Sequence, residues 1–157
     1  MWIKQRNTEI EYLYEKYTEP LSTITWALDN ERNFEYPQDY ILIGLKWLIK
    51  NHPHDSICGC SIDQVHDEMK TRYDWAEQIG NEVIKNSLIS MSKHIKFDTK
   101  DNSRAPIIVY NPLARRRKDI VTIKIMAITG SKSRPFPTDF KLVDSNGNEI
   151  EFQVSDS

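Results

Sequence analysis

Residues 62–95, IDQVHDEMKTRYDWAEQIGNEVIKNSLISMSKHI, carry apolar side chains at near-helical steps over their whole length. Recurrence at every third or fourth position places such side chains on one face of a helix. A helix this long with one apolar face needs other elements to cover that face. The stretch therefore predicts a long amphipathic helix within a helical bundle. The apolar face comprises Ile62, Val65, Met69, Ala76, Ile79, Val83, Leu88, Met91 and Ile95.

Two further amphipathic segments precede this helix. Residues 10–28 repeat apolar side chains at steps of three and four, and Pro20 inside that pattern predicts a kink because it removes a backbone donor. Pro37 suits the first position of a second helix. Three amphipathic helices with short connections predict an antiparallel three-helix bundle over residues 1–97. The apolar stripes are Ile10, Leu13, Tyr17, Leu21, Ile24 and Leu28 in the first helix, and Ile41, Leu45 and Leu48 in the second.

The sequence pattern changes after the third helix. Residues 98–106, DTKDNSRAP, have the composition of a linker. Beyond them the apolar period falls to two, and residues 107–110 and 120–128 are rich in β-branched side chains, as strands are. The predicted fold class is therefore mixed and mainly α. It consists of the bundle, the linker, and a few antiparallel β-strands over residues 107–157 that form part of a β-sandwich.

The last predicted strands form a hairpin. Residues 141–154, KLVDSNGNEIEFQV, contain Asn146-Gly147, a dipeptide that favours tight hairpin turns. The second half of the hairpin alternates apolar and polar residues, so one side is expected to face a core. Three or four strands leave at least one open edge. A homo-oligomer that pairs through such an edge is therefore one expected partnership.

Composition and charge argue against nucleic-acid and membrane partners. The 157 residues have a formal net charge of −2, which gives no basis for binding phosphate groups. No apolar run reaches the roughly 20 residues that a membrane-spanning helix needs. The first residues, MWIKQRNTEIEYLY, lack the basic-then-apolar order of a secretory signal, so a cytoplasmic location is expected. The two cysteines, separated by one glycine, make a poor disulfide and are expected to be reduced.

The connection at residues 51–63, NHPHDSICGCSID, concentrates reactive side chains between two helices. Four of them are of types that bind zinc: His52, His54, Cys58 and Cys60. A loop this short can hardly surround an ion on four sides, because structural zinc sites draw ligand pairs from separate segments. The alternative is a plain connection in which the cysteines pack as small apolar side chains. For the adjacent pair His54 and Asp55, the residues alone leave a structural and a functional role equally open.

Four stretches carry a resemblance to a known family, in the same order along the chain. YEKYTEPLSTITW (14–26) and YILIGLKWLIKNHPHD (40–55) resemble the first two helices of a helical domain. NHPHDSICGCSIDQVHDEM (51–69) has a His-Asp pair before a small-residue turn and a long helix, and IIVYNPLARRRKDIVTIKI (107–125) resembles a strand–turn–strand. These features resemble glycoside hydrolase family 38, the α-mannosidases, over the middle domain and the start of the C-terminal β region. The amino-acid sequence of residues 51–61 is similar to that of the bacterial branch of the family, which includes mannosylglycerate hydrolase.

The resemblance implies a retaining, zinc-dependent glycosidase that cleaves α-D-mannosides. It implies His54 as the zinc ligand from the middle domain and Asp55 as a carboxylate that binds sugar hydroxyls, with no role for His52 or Pro53. It also implies that the nucleophile, the acid/base and the other zinc ligands belong to an N-terminal catalytic domain absent from this sequence. We therefore expect no catalytic residue in this chain, and weak or no zinc binding and no activity by the chain alone. The alternatives are a non-enzymatic assembly or binding module and an autonomous metal-binding domain.

Overall fold

The protein is represented by a computed structural model that describes residues 2–29, 31, 33–96, 105–123 and 140–154. The chain divides into two units, which span residues 1–116 and 117–157. The first unit is helical. Its helices, in chain order, are α1 (Trp2–Tyr12), a π-helix (Leu13–Thr18), α2 (Glu19–Leu28), α3 (Gln38–Ile49), α4 (His54–Ile57) and α5 (Asp63–Ser92).

The helix α5 is the element around which the first unit packs. It occupies most of the stretch predicted to be helical, and its buried residues include Met69, Tyr73, Ala76 and Val83. These join buried side chains of α1, the π-helix and α3 in one apolar cluster, because each of those segments is amphipathic. The contributions from outside α5 are Ile3, Ile10, Tyr14, Ile41 and Leu48.

The interruption predicted at Pro20 takes the form of a π-helix that ends shortly before it. Proline has no N–H and cannot continue the usual hydrogen-bond pattern of an α-helix. The π-helix Leu13–Thr18 widens the turn ahead of Pro20, so that the proline lies in the first turn of α2. The helix runs on through this point, since the Glu19 N–H donates to the Tyr14 carbonyl five residues before it, as in a π-turn.

The π-helix also overturns the apolar face predicted for the first helix. A π-turn holds more residues than an α-turn and therefore rotates the residues that follow it relative to a regular helix. The structure buries Ile10 and Leu21 but exposes Tyr17, Ile24 and Leu28. Tyr14, near the start of the π-helix, is buried, and the buried positions that follow it include Thr18, Ser22 and Thr25.

The phenol of Tyr14 fills the contact between the π-helix, α3 and α5. Its hydroxyl donates a hydrogen bond of 2.7 Å to the Ala76 carbonyl. A Cβ at Gly44 of α3 would stand 1.7 Å from the Tyr14 hydroxyl oxygen, and one at Gly80 of α5 would stand 2.9 Å from Cδ2 of Leu13. The helices can approach the ring this closely only because residue 44 has no side chain.

Small hydroxyl residues line the contact between α2 and α5. Ser22 Oγ lies 3.2 Å from Ser87 Oγ, and Thr25 Oγ1 donates to the Leu21 carbonyl at 2.7 Å. Ser22 also donates to the Thr18 carbonyl of the π-helix at 2.7 Å, and Ser87 donates to the Val83 carbonyl of α5 at 2.9 Å. Their burial is tolerated because each hydroxyl has a hydrogen-bond partner.

The predicted fold class is wrong, because the described residues contain no β-strand. No strand forms at residues 107–110, in the described part of 120–128, or in 141–154. One isolated antiparallel bridge joins Val143 and Glu149. The local turn that the sequence predicts between these two residues does form. Gly147 has φ +87°, and the Asp144 carboxylate accepts N–H bonds from Asn146 and Asn148.

The absence of strands from the described residues has a physical reason. Strand propensity reflects packing against neighbouring strands and a core, and an isolated hairpin is marginal in water. Ile150, Phe152 and Val154 would have to supply that core, yet they are 44%, 46% and 67% exposed. The expected homo-oligomer through open β edges therefore has no strand edge to use among these residues.

Part of the predicted C-terminal organisation lies outside the described residues. Residues 98–104 of the linker and 124–128 of the second predicted strand belong to that part. The boundaries 1–97, 98–106 and 107–157 therefore stay a prediction.

Within the part of the chain that the structure describes, no helix is both long and apolar enough to cross a membrane.

The first prediction concerns the Tyr14–Gly44 contact. Helix propensity alone predicts that Gly44→Ala stabilises the protein by about 1 kcal/mol. We expect instead a loss of roughly 2–4 kcal/mol, because the new Cβ displaces the Tyr14 ring and its hydrogen bond to Ala76. Urea unfolding followed by circular dichroism measures the difference.

A double-mutant cycle provides the control for Gly44→Ala. In a Tyr14→Leu background the ring is gone, so Gly44→Ala should cost little or stabilise the protein. Equal costs of Gly44→Ala in both backgrounds would show that the ring is not the cause.

The second prediction concerns alkaline pH. Burial raises the pKa of Tyr14 to about 12, above its ordinary value near 10. Because the folded pKa is raised, the stabilisation is fully present below about pH 10 and is lost as pH rises through about 12. The free energy of unfolding should therefore fall by roughly 1–3 kcal/mol more in the wild type than in Tyr14→Phe between those pH values. Tyr12→Phe, at an exposed tyrosine, is the control and should follow the wild type.

Candidate functional site

The His54-Asp55 pair begins the short helix α4, in the connection between α3 and α5. Pro53 precedes the pair in an extended conformation, with φ −48° and ψ 138°, and so turns the chain into α4. His54 Nε2 lies 3.0 Å from Asp55 Oδ1, and the two side chains are 92% and 65% exposed. Both can therefore meet groups that come from outside these helices.

Backbone hydrogen bonds hold the pair on a defined turn. The Cys58 N–H donates to the His54 carbonyl at 3.1 Å, and the N–H groups of Cys60 and Ser61 donate to the Asp55 carbonyl at 2.9 and 3.1 Å. Gly59 has φ +82°, a left-handed conformation that glycine adopts without strain. The chain can therefore fold back onto Asp55, which leaves the two side chains exposed while their carbonyls hold the turn.

Buried polar groups attach the connection to α5. Asn51 is fully buried, and its Nδ2 donates to the Met69 carbonyl at 3.2 Å. Ser56, in the middle of α4, is also buried. The connection is thus attached to α5 at its start and buried in its middle, which limits the positions that His54 and Asp55 can take.

His52 is held by α1. Its Nε2 lies 2.8 Å from Asn7 Oδ1 and 4.0 Å from Glu11 Oε1. Tyr73 also donates to Asn7 Oδ1, at 3.4 Å. Asn7 and Glu11 had no role in the sequence-based site, although their spacing of four residues indicates a shared helix face. The structure thus gives His52 a structural partner on another helix.

The structure does not assemble the alternative four-ligand zinc site. Among the residues that the structure describes, no group of three or more His, Cys, Asp or Glu side chains is placed to hold a metal ion. His52 bonds to Asn7, whereas His54 pairs with Asp55. The two histidines of the proposed cluster are therefore engaged separately.

The two cysteines are exposed, so the interpretation that they pack as small apolar side chains is wrong. Their sulfur atoms lie 3.2 Å apart across Gly59. The hydrogen bond that the Cys60 thiol shares with the Cys58 sulfur, together with repulsion from an ionised Cys58, raises the pKa of the Cys60 thiol, since both favour its protonated form. The thiols thus form a close pair at the surface, on the turn that also holds Asp55.

A shallow groove lies away from this connection in sequence. It has a volume of about 490 Å³ and runs between the loop after α2 and the side of α5, and none of its lining residues falls within residues 51–63. Ile79 and Val83 give it an apolar floor, and Glu35 and Glu82 lie at its wall. Neither predicted site residue contributes to it.

Comparison with known families places most of the helical unit in one of them. Residues 1–91 match the family described as the alpha mannosidase middle domain. The match includes α1 through almost all of α5, and it contains the connection with His54 and Asp55.

Known proteins that resemble the chain are much longer than it is. A putative mannosylglycerate hydrolase of Halalkalibacterium halodurans is 30% identical over 125 residues, which are 80% of this chain and 13% of that protein. A glycosyl hydrolase family 38 protein and an alpha-mannosidase, both solved from Enterococcus faecalis, superpose with TM-scores of 0.54 and 0.54 at 35% identity each. The superpositions cover 58% and 59% of this chain, and 10% of each solved chain.

Proposed function

Because this chain belongs to the alpha-mannosidase middle-domain family, we propose that it forms one side of the active site of a retaining, zinc-dependent glycoside hydrolase that acts on α-D-mannosides. The family predicted from the sequence is confirmed by the match over residues 1–91. The observation that carries the proposal is the exposed His54-Asp55 pair, which lies within the matched range.

His54 fits the role of a single zinc ligand. An imidazole nitrogen is a common zinc donor, and this ring is exposed enough for an ion to reach it. As a ligand it would be neutral, with the second nitrogen held by a partner that sets the tautomer. Since the described residues contain no group of three donors, His54 would be one ligand of a set completed elsewhere. Bound zinc would supply a Lewis acid to the site.

Asp55 fits the role of a carboxylate that orients the sugar. An ionised carboxylate accepts hydrogen bonds at both oxygens, and two neighbouring hydroxyls of a mannoside can donate them. In the structure Asp55 Oδ1 lies 3.0 Å from His54 Nε2. A sugar bound by Asp55 would therefore lie beside the histidine that we assign to the metal.

The proposal assigns the chemical step to other parts of the enzyme. A retaining glycosidase needs a nucleophile and an acid/base, two carboxyl groups about 5–5.5 Å apart. The relatives are far longer than this chain, which spans 13% of the curated one and 10% of the solved ones. The nucleophile, the acid/base and the remaining zinc ligands would come from that additional length.

The cytoplasmic location expected from the sequence stays a prediction.

The third prediction separates the two roles in the intact enzyme. His54→Ala should lower zinc affinity at least 10- to 100-fold, which is the loss seen when only a hydrogen-bond partner of a metal ligand is mutated. Activity should fall with the zinc affinity. Asp55→Asn should keep zinc but lower kcat/KM roughly 10- to 100-fold, since hydrogen bonds to a charged group contribute about 1.5–3 kcal/mol. Metal content by mass spectrometry and turnover of an aryl α-mannoside measure both.

His52→Ala is the matched control, because this histidine bonds to Asn7 and has no assigned role. It should leave zinc content and kcat/KM within about twofold of wild type. Full activity in Asp55→Asn would remove the sugar-binding role, and unchanged zinc in His54→Ala would remove the ligand role.

The fourth prediction concerns this 157-residue chain by itself. It should bind zinc only weakly and should not turn over an aryl α-mannoside, because one exposed imidazole cannot hold the ion. Calorimetric titration and an activity assay test this. Tight one-to-one zinc binding that is lost in Cys58→Ser/Cys60→Ser would instead support the autonomous metal-binding domain.

If the intact protein did not turn over an aryl α-mannoside, the non-enzymatic assembly or binding module would be the better-supported function. The assay on the intact protein therefore decides between those two classes.

A further inference from the structure

We propose that Cys58 and Cys60 form a reversible oxidation site, in which a peroxide converts the two thiols into an intramolecular disulfide. This inference does not depend on the proposed function. It rests on three observations: both thiols are exposed, their sulfur atoms lie 3.2 Å apart, and a left-handed glycine joins them. An oxidant in solution can therefore reach either sulfur, and the other sulfur is already beside it.

The geometry of the turn removes the usual objection to a disulfide between residues i and i+2. In most backbone conformations such side chains point apart, so the bond requires backbone movement. Here Gly59, at φ +82°, directs the two side chains towards each other. A disulfide bond is about 2.05 Å long, so the sulfur atoms have to approach by about 1.2 Å. The space around Gly59 is open, with Ile3 Cδ1 at 3.8 Å from an added Cβ.

The reaction balances with a hydroperoxide as the oxidant. One thiolate attacks a peroxide oxygen, the O–O bond breaks, and the sulfur becomes a sulfenic acid as the first water, or an alcohol, leaves. The second thiolate attacks that sulfur, the S–S bond forms, and the S–O bond breaks to release a second water. Two thiols lose two protons and two electrons, and the peroxide gains them. A thiol such as glutathione reverses the change by exchange through a mixed disulfide.

The oxidised turn would act on the segment that carries the His54-Asp55 pair. The Cys60 N–H donates to the Asp55 carbonyl at 2.9 Å, and the Cys58 N–H donates to the His54 carbonyl at 3.1 Å. Moving the two sulfurs together shifts these N–H groups and therefore strains both bonds. The amide resonances of residues 54–61 should move on oxidation, whereas those in the middle of α5 should stay in place.

A disulfide that is exposed and closes a loop of only three residues is easily reduced. Strained or exposed disulfides have more oxidising potentials than buried structural ones. We therefore expect reduction by glutathione at concentrations that leave a structural disulfide intact. This behaviour is that of a site that responds to oxidant rather than of a permanent cross-link.

The experiment is peroxide treatment of the full chain at low protein concentration. Because the chain contains two cysteines, an intramolecular disulfide has one possible pairing. Intact mass should show loss of two hydrogen atoms, the free-thiol count should fall from two to zero, and dithiothreitol should restore both. Sulfinic or sulfonic acid products, or covalent dimers in place of the internal disulfide, would overturn the proposal.

Three variants test whether the turn is responsible. Cys58→Ser and Cys60→Ser should each lose the two-hydrogen product and form a sulfenic acid at the remaining thiol. Gly59→Val should slow disulfide formation about tenfold, because a left-handed conformation is unfavourable for a residue with a Cβ, and β-branched ones avoid it most. An unchanged rate in Gly59→Val would contradict the role of the turn.

Discussion

The contact of Tyr14 with Gly44 and Ala76 is the constraint on which the positions of the helices depend. The phenol sits where an Ala side chain at residue 44 would have to be, and its hydroxyl bonds to α5 at 2.7 Å. Tyr14 lies at the second position of the π-helix, four residues after the buried Ile10 and therefore on the same side of the helix. With α3 and α5 held against the same ring, the connection between them has defined ends. That connection carries the candidate site.

The candidate site is one-sided because of how its turn is built. The carbonyls of His54 and Asp55 accept the turn's hydrogen bonds, whereas their side chains are 92% and 65% exposed. A metal ligand exposed to this degree gains strength only from further ligands that surround the ion. The same turn holds the two thiols 3.2 Å apart, so the redox chemistry of Cys58 and Cys60 and the predicted metal chemistry share one short backbone segment.

Local patterns were sufficient for some features and not for others. The apolar spacing of residues 62–95 predicted the long helix α5, and the four stretches that resemble the family, in the same order along the chain, indicated the family. The apolar stripe of residues 10–28 misled, since counting in steps of three and four cannot register the rotation that a π-helix adds. The β-branched residues after 106 misled for another reason: strands require partners, and propensity does not show whether partners are present. The exposure of the cysteines could not be predicted from the sequence, because it depends on the backbone conformation of the turn around Gly59.

The central claim is that His54 is the one zinc ligand that this domain gives to a larger site. Zinc K-edge X-ray absorption on the intact, metal-loaded enzyme tests it most directly, because sulfur and nitrogen ligands lie at different distances from zinc. The account predicts nitrogen and oxygen neighbours at about 2.0–2.2 Å, with one imidazole contribution lost in His54→Ala and no sulfur neighbour. A sulfur shell at about 2.3 Å, or a spectrum that His54→Ala leaves unchanged, would contradict it.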